Sequence, residues 1–318
     1  MNSAIVAPGG EPALHGRRIL ITGGTGLIGS ALLPYLHRRG SDLGVLTRDP
    51  RAAQQRFPFP VRWLDSLSAL GSDDTYDTII NLAGESLAEG RWTPAKKRRL
   101  FDSRVNTTHE LLAWVKRAQR KPDYLISGSA VGFYGPKSDE MLTEADAGAE
   151  SFGHSLCAAW EAAADQFTSA GIAVTRLRLG VVFARHGGAF EQLRKPFNFR
   201  VATVMGDGNH YCSWIHRDDL LNAFEFLLTR PAAQRLTGPV NATAPEPLTY
   251  RELARQLAHA KSALVTLHLP RCLLRLGLGE MADELLLRGQ RVIPDRLQQA
   301  GFQFTHPTFA SALDTLLR

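Results

Sequence analysis

The stretch Ile19-Leu20-Ile21-Thr22-Gly23-Gly24-Thr25-Gly26-Leu27-Ile28-Gly29 is an apolar run that breaks into four glycines, then resumes as Ser30-Ala31-Leu32-Leu33-Pro34-Tyr35-Leu36. It reads as strand, tight turn and helix. A turn this close needs residues without a Cβ where the backbone bends and where a bulky group meets the first helix amides. Those amides and the helix dipole favour an anion without help from a lysine, which suits a pyrophosphate. The spacing fits Gly-x-Gly-x-x-Gly through Gly24, Gly26 and Gly29, and Gly-x-x-Gly-x-x-Gly through Gly23, Gly26 and Gly29. Its place between an apolar strand and an amphipathic helix is the context a dinucleotide site requires. Gly23, Gly24, Thr25, Gly26, Leu27, Ile28 and Gly29 are therefore the first candidate cofactor residues.

Strand and helix patterns alternate onward from this unit, which predicts a parallel sheet in an α/β fold. Leu43 to Leu46 form a second apolar segment that ends at Thr47-Arg48-Asp49. In such a unit the tip of the second strand, about 20 residues past the glycines, meets the adenosine ribose. A carboxylate there selects NAD, whereas the Arg48 guanidinium matches a 2'-phosphate. The expected cofactor is NADP(H); the competing arrangement turns Asp49 inward and leaves Arg48 as ordinary surface.

Val61–Leu64, Thr78–Leu82, Tyr124–Ser127 and Val174–Phe183 read as further strands, and a helix is expected from Pro94 to Gln119. Leu82, Ala83 and Gly84 end the fourth strand in small residues, as expected where backbone passes close to a ligand. Ser129 and Tyr134 lie at the tip of the fifth strand. Ser129 can donate to a substrate oxygen or satisfy its own turn. A helix follows from Phe152 to Thr168, and loops over 187–213 are expected to form a lid. Asp218 is expected to cap the helix after Ser213-Trp214-Ile215-His216, and His216 reads either as a catalytic base or as a strand-end histidine bonded to a neighbouring loop. Thr249 caps a helix reaching Ala260, and Met281, Leu285, Leu286 and Leu287 suggest another packed helix.

With 318 residues, 44% hydrophobic and 21% charged, the chain can bury a large core and a smaller lobe. No apolar run approaches the length of a membrane span. Cys157, Cys212 and Cys272 are odd in number and widely spaced. That pattern predicts reduced thiols in a cytoplasmic chain with no metal site. The net charge of +6 is spread out, apart from Lys96-Lys97-Arg98-Arg99 in a helical pattern, so a solvated helix face is expected rather than a nucleic-acid surface. The expected organisation is a flexible tail over 1–14, a nucleotide-binding domain over 15–243 and a small C-terminal lobe over 244–318.

Taken together, Thr22–Gly29, Asn81-Leu82-Ala83-Gly84, Val105-Asn106-Thr107-Thr108 and Phe133-Tyr134-Gly135 resemble the extended short-chain dehydrogenase/reductase superfamily. More narrowly, Asn81-Leu82-Ala83-Gly84-Glu85, Trp160-Glu161, Ser213-Trp214-Ile215-His216 and Gly279-Glu280-Met281-Ala282-Asp283-Glu284-Leu285-Leu286-Leu287 look like its atypical epimerase-family members, often labelled cell-division-inhibitor-like. The resemblance implies a Rossmann-type doubly wound sheet binding NADP(H), with a C-terminal lobe closing over a small-molecule substrate in a monomer or homodimer. It also implies Thr47, Arg48, Leu82, Ala83, Arg104 and Val182 as cofactor neighbours.

One departure from the superfamily concerns chemistry. Its redox members carry Tyr-x-x-x-Lys on the helix after the fifth strand, where the lysine lowers the tyrosine's pKa. Here Gly153 falls at the tyrosine position and Cys157 at the lysine position. Two readings follow. One is an NADP(H)-dependent oxidoreductase or epimerase acting on a nucleotide-sugar-like or other carbonyl substrate, with Ser129 positioning the oxygen and Tyr134 as substitute acid. The other is a non-catalytic NADP(H)-binding regulatory protein, linked by the family label to cell division.

Overall fold

The computed structural model describes residues 14–137 and 139–318. Seven strands, β1 (Arg18–Thr22), β2 (Asp42–Leu46), β3 (Arg62–Leu64), β4 (Thr78–Asn81), β5 (Tyr124–Ala130), β6 (Ala173–Leu179) and β7 (Gly238–Ala242), form one sheet in the order β7-β6-β5-β4-β1-β2-β3. Every pairing is parallel. The order of strands reverses at β1, with β2 and β3 to one side and β4 to the other, where Thr22 pairs with Asn81. A ligand crevice opens at such a switch point.

The strands are apolar on both faces because helices cover both. Ile19 and Ile21 face α1 (Gly29–His37) and share a core with its Leu32, Leu33 and Leu36. Leu20, pointing the other way, packs with Leu111, Trp114 and Val115 of α3 (Pro94–Arg117). A residue period of two thus divides one strand between two cores. Each fully buried Leu or Ile contributes about 1.5–3 kcal/mol. The remaining helices are α2 (Pro50–Arg56), α4 (Phe152–Asp165), α5 (Gly188–Arg194), α6 (Arg217–Thr229), α7 (Tyr250–Ala260), α8 (Arg271–Leu278), α9 (Glu280–Ala282), α10 (Asp295–Gln299) and α11 (Phe309–Leu317).

Several expectations change in three dimensions. The strand expected over 174–183 breaks at Gly180, where a Cβ would lie 2.8 Å from the Ser213 carbonyl oxygen. Beyond the break, Val181–Phe183 pairs with Trp214–His216 instead of continuing the sheet. Phe183, Phe190, Trp214 and Phe309 then gather into the separate core of the lobe. The lobe expected over 244–318 is not one continuous piece, since Leu297 and Phe302 return to the core of the main sheet. Within the lid expected over 187–213, α5 is followed by strand Val201–Met205, which pairs with Val265–Leu269.

Of the tail expected over 1–14, residues 1–13 lie outside the described residues; Leu14 is buried in the main core. The basic run is not merely solvated. Lys96 is buried with its Nζ 2.8 Å from Glu85, and Lys97 reaches Glu280 at 2.5 Å. His216, not Asp218, caps α6: its Nδ1 accepts from the Asp218 amide at 3.1 Å. Among the described residues, no helix is long and apolar enough to cross a membrane.

Candidate functional site

The glycine turn between β1 and α1 lies at the switch point. Gly23 has φ +71°, and a Cβ there would press into the Leu82 carbonyl beyond β4. A Cβ on Gly29 would strike the backbone of Gly23 and Gly24. These glycines let strand end, helix start and the neighbouring strand's exit meet within van der Waals distance. No side chain caps the start of α1, so its first turn presents backbone amides to the crevice. The concave loop and the uncapped helix start fit a pyrophosphate.

A hydrogen-bond chain holds the adjoining strand tips. Thr22 Oγ1 donates to Asn81 Oδ1 at 2.7 Å and accepts from the Ala83 amide at 3.1 Å. Asn81 Nδ2 donates to Thr108 Oγ1 at 2.8 Å, and Thr108 Oγ1 donates to the Arg104 carbonyl at 2.7 Å. The Leu82-Ala83-Gly84 backbone is thereby fixed beside the glycine turn.

At the tip of β2, Arg48 is exposed and has no hydrogen-bond or ion-pair partner among the described residues. Asp49 does not turn inward. It caps α2, accepting from the Ala52 amide at 2.9 Å. Thr47 is buried behind it, its Oγ1 accepting from the Asp49 amide at 3.4 Å. Sequence reasoning missed Arg56, whose Nη1 donates to the Thr25 carbonyl of the glycine turn at 3.3 Å. It ends α2 and has no local signal; only folding carries it back across the crevice. The exposed Leu27 meets the lid, since Cβ atoms on Gly187 or Gly188 would lie 3.1 and 2.8 Å from its methyl carbons. Val182 is buried on the strand leading into that lid.

Arg104 is buried under the β4 tip, donating to the Leu100 and Glu85 carbonyls at 3.0 and 3.1 Å, with its guanidinium 5.3 Å from the Trp160 ring. Burial lowers its pKa. A Cβ on Gly84 would lie 2.7 Å from its Cζ.

Both catalytic candidates have protein partners. Ser129 is buried and donates to Glu161 Oε1 at 2.6 Å. Arg178 clasps the same carboxylate through Nε at 2.8 Å and Nη2 at 3.0 Å. Tyr134 is fully buried; its hydroxyl donates to Asn241 Oδ1 at 2.7 Å and accepts from Arg178 Nη1 at 3.1 Å. Burial raises its pKa, an effect that Arg178 only partly offsets. Against the expectation that Tyr134 serves as substitute acid stand two features: its proton is committed to Asn241 and its ring is closed off from solvent.

The α4 positions offer no alternative of their own. Gly153 has no side chain, and burial pushes the Cys157 thiol up to about 11. What lies at Gly153 comes from the far end of the chain: Glu284 Oε2 accepts from the Gly153 amide at 3.1 Å. In sequence Glu284 stands out only as part of the 279–287 motif. Among the described residues, His216, Asp218 and His306 lie close enough together to hold a metal ion. Both His216 nitrogens are nevertheless engaged, Nδ1 by the Asp218 amide and Nε2 by Thr315 Oγ1 at 3.2 Å.

Residues 19–242 match the NAD dependent epimerase/dehydratase family, and residues 269–316 match a domain of unknown function, DUF1731. An epimerase family protein of Mycobacterium bovis is 37% identical over 93% of this chain and 96% of its own length. The Bacillus subtilis epimerase family protein YfhF is 32% identical over 94% of this chain and 97% of its own. Among solved structures, the human epimerase family protein SDR39U1, crystallised with NADPH, superposes with a TM-score of 0.83 at 29% identity. That match covers 94% of this chain and 99% of the human one.

Proposed function

Because this chain belongs to the NAD dependent epimerase/dehydratase family, we propose that it binds NADP(H) as an atypical short-chain dehydrogenase/reductase and acts on a nucleotide-sugar-like or other carbonyl substrate. The observation that carries this reading is the pairing of a Cβ-free turn at the switch point with an unpartnered guanidinium at the tip of β2. The amides of the turn and helix start, apart from that of Gly26, which donates to the Gly23 carbonyl at 3.1 Å, hold the pyrophosphate, and Arg48 faces the 2'-phosphate, with Arg56 at the rim. The relative crystallised with NADPH supports the same cofactor. Bound at this site, the nicotinamide supplies or accepts a hydride.

In this reading the chain's own groups bind, orient and exclude water. Leu82, Ala83 and Gly84 line the crevice beside the turn, and Leu27 with the lid at Gly187 and Gly188 closes over it. Arg104 supports the β4 tip. Ser129 gives its proton to Glu161, so we assign it to holding that carboxylate with Arg178.

A non-catalytic NADP(H)-binding regulatory role is a second reading, favoured by the absence of both side chains of the usual proton relay at Gly153 and Cys157. Turnover separates the two: stereospecific hydride transfer to any carbonyl supports the enzyme, and NADPH binding without turnover across a broad panel supports the regulator.

The cofactor assignment is tested by titrating Arg48→Ala with NADPH and NADH. NADPH binding is expected to weaken by about 1–3 kcal/mol, the range for a charge-assisted hydrogen bond, with NADH nearly unchanged. Equal losses for both coenzymes overturn the assignment of Arg48.

A further inference from the structure

The family signature 279–287 has no role in the site built so far, yet it ends at the place where the usual tyrosine is missing. Residues 283–287 form a π-helical turn directly after α9, and such turns concentrate at functional sites. Met281 packs with Trp92, Leu100 and Leu156, which docks the segment on α3 and α4. Three carboxylates project from it. Glu280 pairs with Lys97 at 2.5 Å, and Asp283 pairs with Arg275 at 2.7 Å. Glu284 has no cationic partner among the described residues. Its Oε2 lies 3.0 Å from where a Gly153 Cβ would stand, in the space a side chain at 153 would enter. Its Oε1 takes no hydrogen bond among the described residues.

From this juxtaposition we infer that Glu284, delivered by the C-terminal segment, is the proton-exchanging group that replaces the tyrosine missing at Gly153. The inference rests on the NADP(H) reading above. The neighbouring charges agree with it. Arg104, reaching in from α3, holds its guanidinium 5.3 Å from the Trp160 ring of α4, close to the helix position where a lysine is lacking. His154, the other titratable group at this end of α4, is held through Nδ1 at 2.5 Å from the Phe133 carbonyl.

The step balances without another reagent. With reduced dinucleotide bound, Glu284 in its protonated form would give its proton to the substrate oxygen as the carbonyl carbon took a hydride; the Glu284 O–H would break as the alcohol O–H formed, and the carboxylate would regain its proton from water. The reverse direction uses the carboxylate as base.

The test needs no substrate, because NADP⁺ carries a positive nicotinamide ring and NADPH does not. Dissociation constants for both are measured at pH 7 by calorimetry on the full chain and on Glu284→Gln, which keeps the hydrogen bond to the Gly153 amide. A carboxylate facing the ring favours NADP⁺, so Glu284→Gln is expected to lower the affinity for NADP⁺ relative to NADPH by about 3- to 10-fold. Glu284→Asp, which keeps the charge, retains most of the preference and serves if the Gln variant does not fold. Reduction of 9,10-phenanthrenequinone by NADPH is followed in parallel, with the Gln variant slower and the Asp variant partly rescued. An unchanged NADP⁺ to NADPH ratio in Glu284→Gln overturns the inference while leaving the cofactor reading intact. Failure of the wild-type chain to bind either coenzyme overturns the cofactor reading itself.

Discussion

The two ends of the crevice are built from different materials. At the β1–α1 end, function resides in backbone: Gly23 and Gly29 are held so close to neighbouring main chain that no side chain fits, and the helix start is left uncapped. At the α4 end, function requires side chains, and the expected ones are absent. Glu284 from the C-terminal segment stands at Gly153, and Arg104 from α3 lies against Trp160 on the same helix. A backbone cradle depends on a few consecutive residues and tolerates little. A side-chain relay can be supplied from any element that reaches the spot.

One substitution applied at both ends separates them most sharply. Gly29→Ala drives a Cβ into fixed main chain and is expected to reduce NADPH affinity more than 100-fold, roughly 3 kcal/mol or more. Gly153→Ala, in the first turn of α4, brings a Cβ to 3.0 Å from the tip of Glu284 and 3.4 Å from the Gly132 carbonyl oxygen, and is expected to alter NADPH binding by less than about 1 kcal/mol. Calorimetric titration checks both, and similar losses at the two glycines would break the contrast.

Tyr134→Phe probes the wall between the ends. It leaves Asn241 Oδ1 and an Arg178 N–H short of a buried partner, so stability is expected to fall by about 1–3 kcal/mol. NADPH affinity is expected to stay within about twofold of wild type, since the hydroxyl has no proposed role in binding; denaturant melts and titration distinguish the outcomes. A large fall in affinity with unchanged stability would return Tyr134 to the site.

The smallest expected effect is a pH dependence where the C-terminal segment docks. Burial holds His216 near 4 against an ordinary 6.5, so the folded chain keeps it neutral while the unfolded chain protonates it. Its depressed pKa makes stability complete above pH 6.5 and progressively lost as pH falls toward 4. His216→Asn preserves the cap on α6 and removes the titration. Between pH 7 and 5 wild type is expected to lose about 2 kcal/mol relative to this variant, read from paired thermal melts. Parallel curves would show that His216 is not the acid-sensitive joint.

Much of the architecture was legible because it follows from local rules. Ile19, Leu20 and Ile21 announce a strand buried on both faces, and the four glycines after Thr22 announce a turn that only a Cβ-free backbone can make. Arg48 was readable as an exposed cation at a strand tip. Long-range contacts were not readable. The break at Gly180 is set by Ser213, the burial of Lys96 by Glu85, and the reach of Arg56 by the position of Thr25. Ser129 and Tyr134 have suitable groups for catalysis in sequence, but Glu161, Arg178 and Asn241 decide what those groups do.

The sequence by itself determined the alternating α/β order and the glycine turn, because chain stereochemistry and the two-residue strand period act between near neighbours. Only the tertiary structure decided which side chain stands at the vacant tyrosine position. Residues 153 and 284 are brought together by the docking of one lobe on another, and no local pattern encodes a contact whose geometry depends on the packing of everything between them.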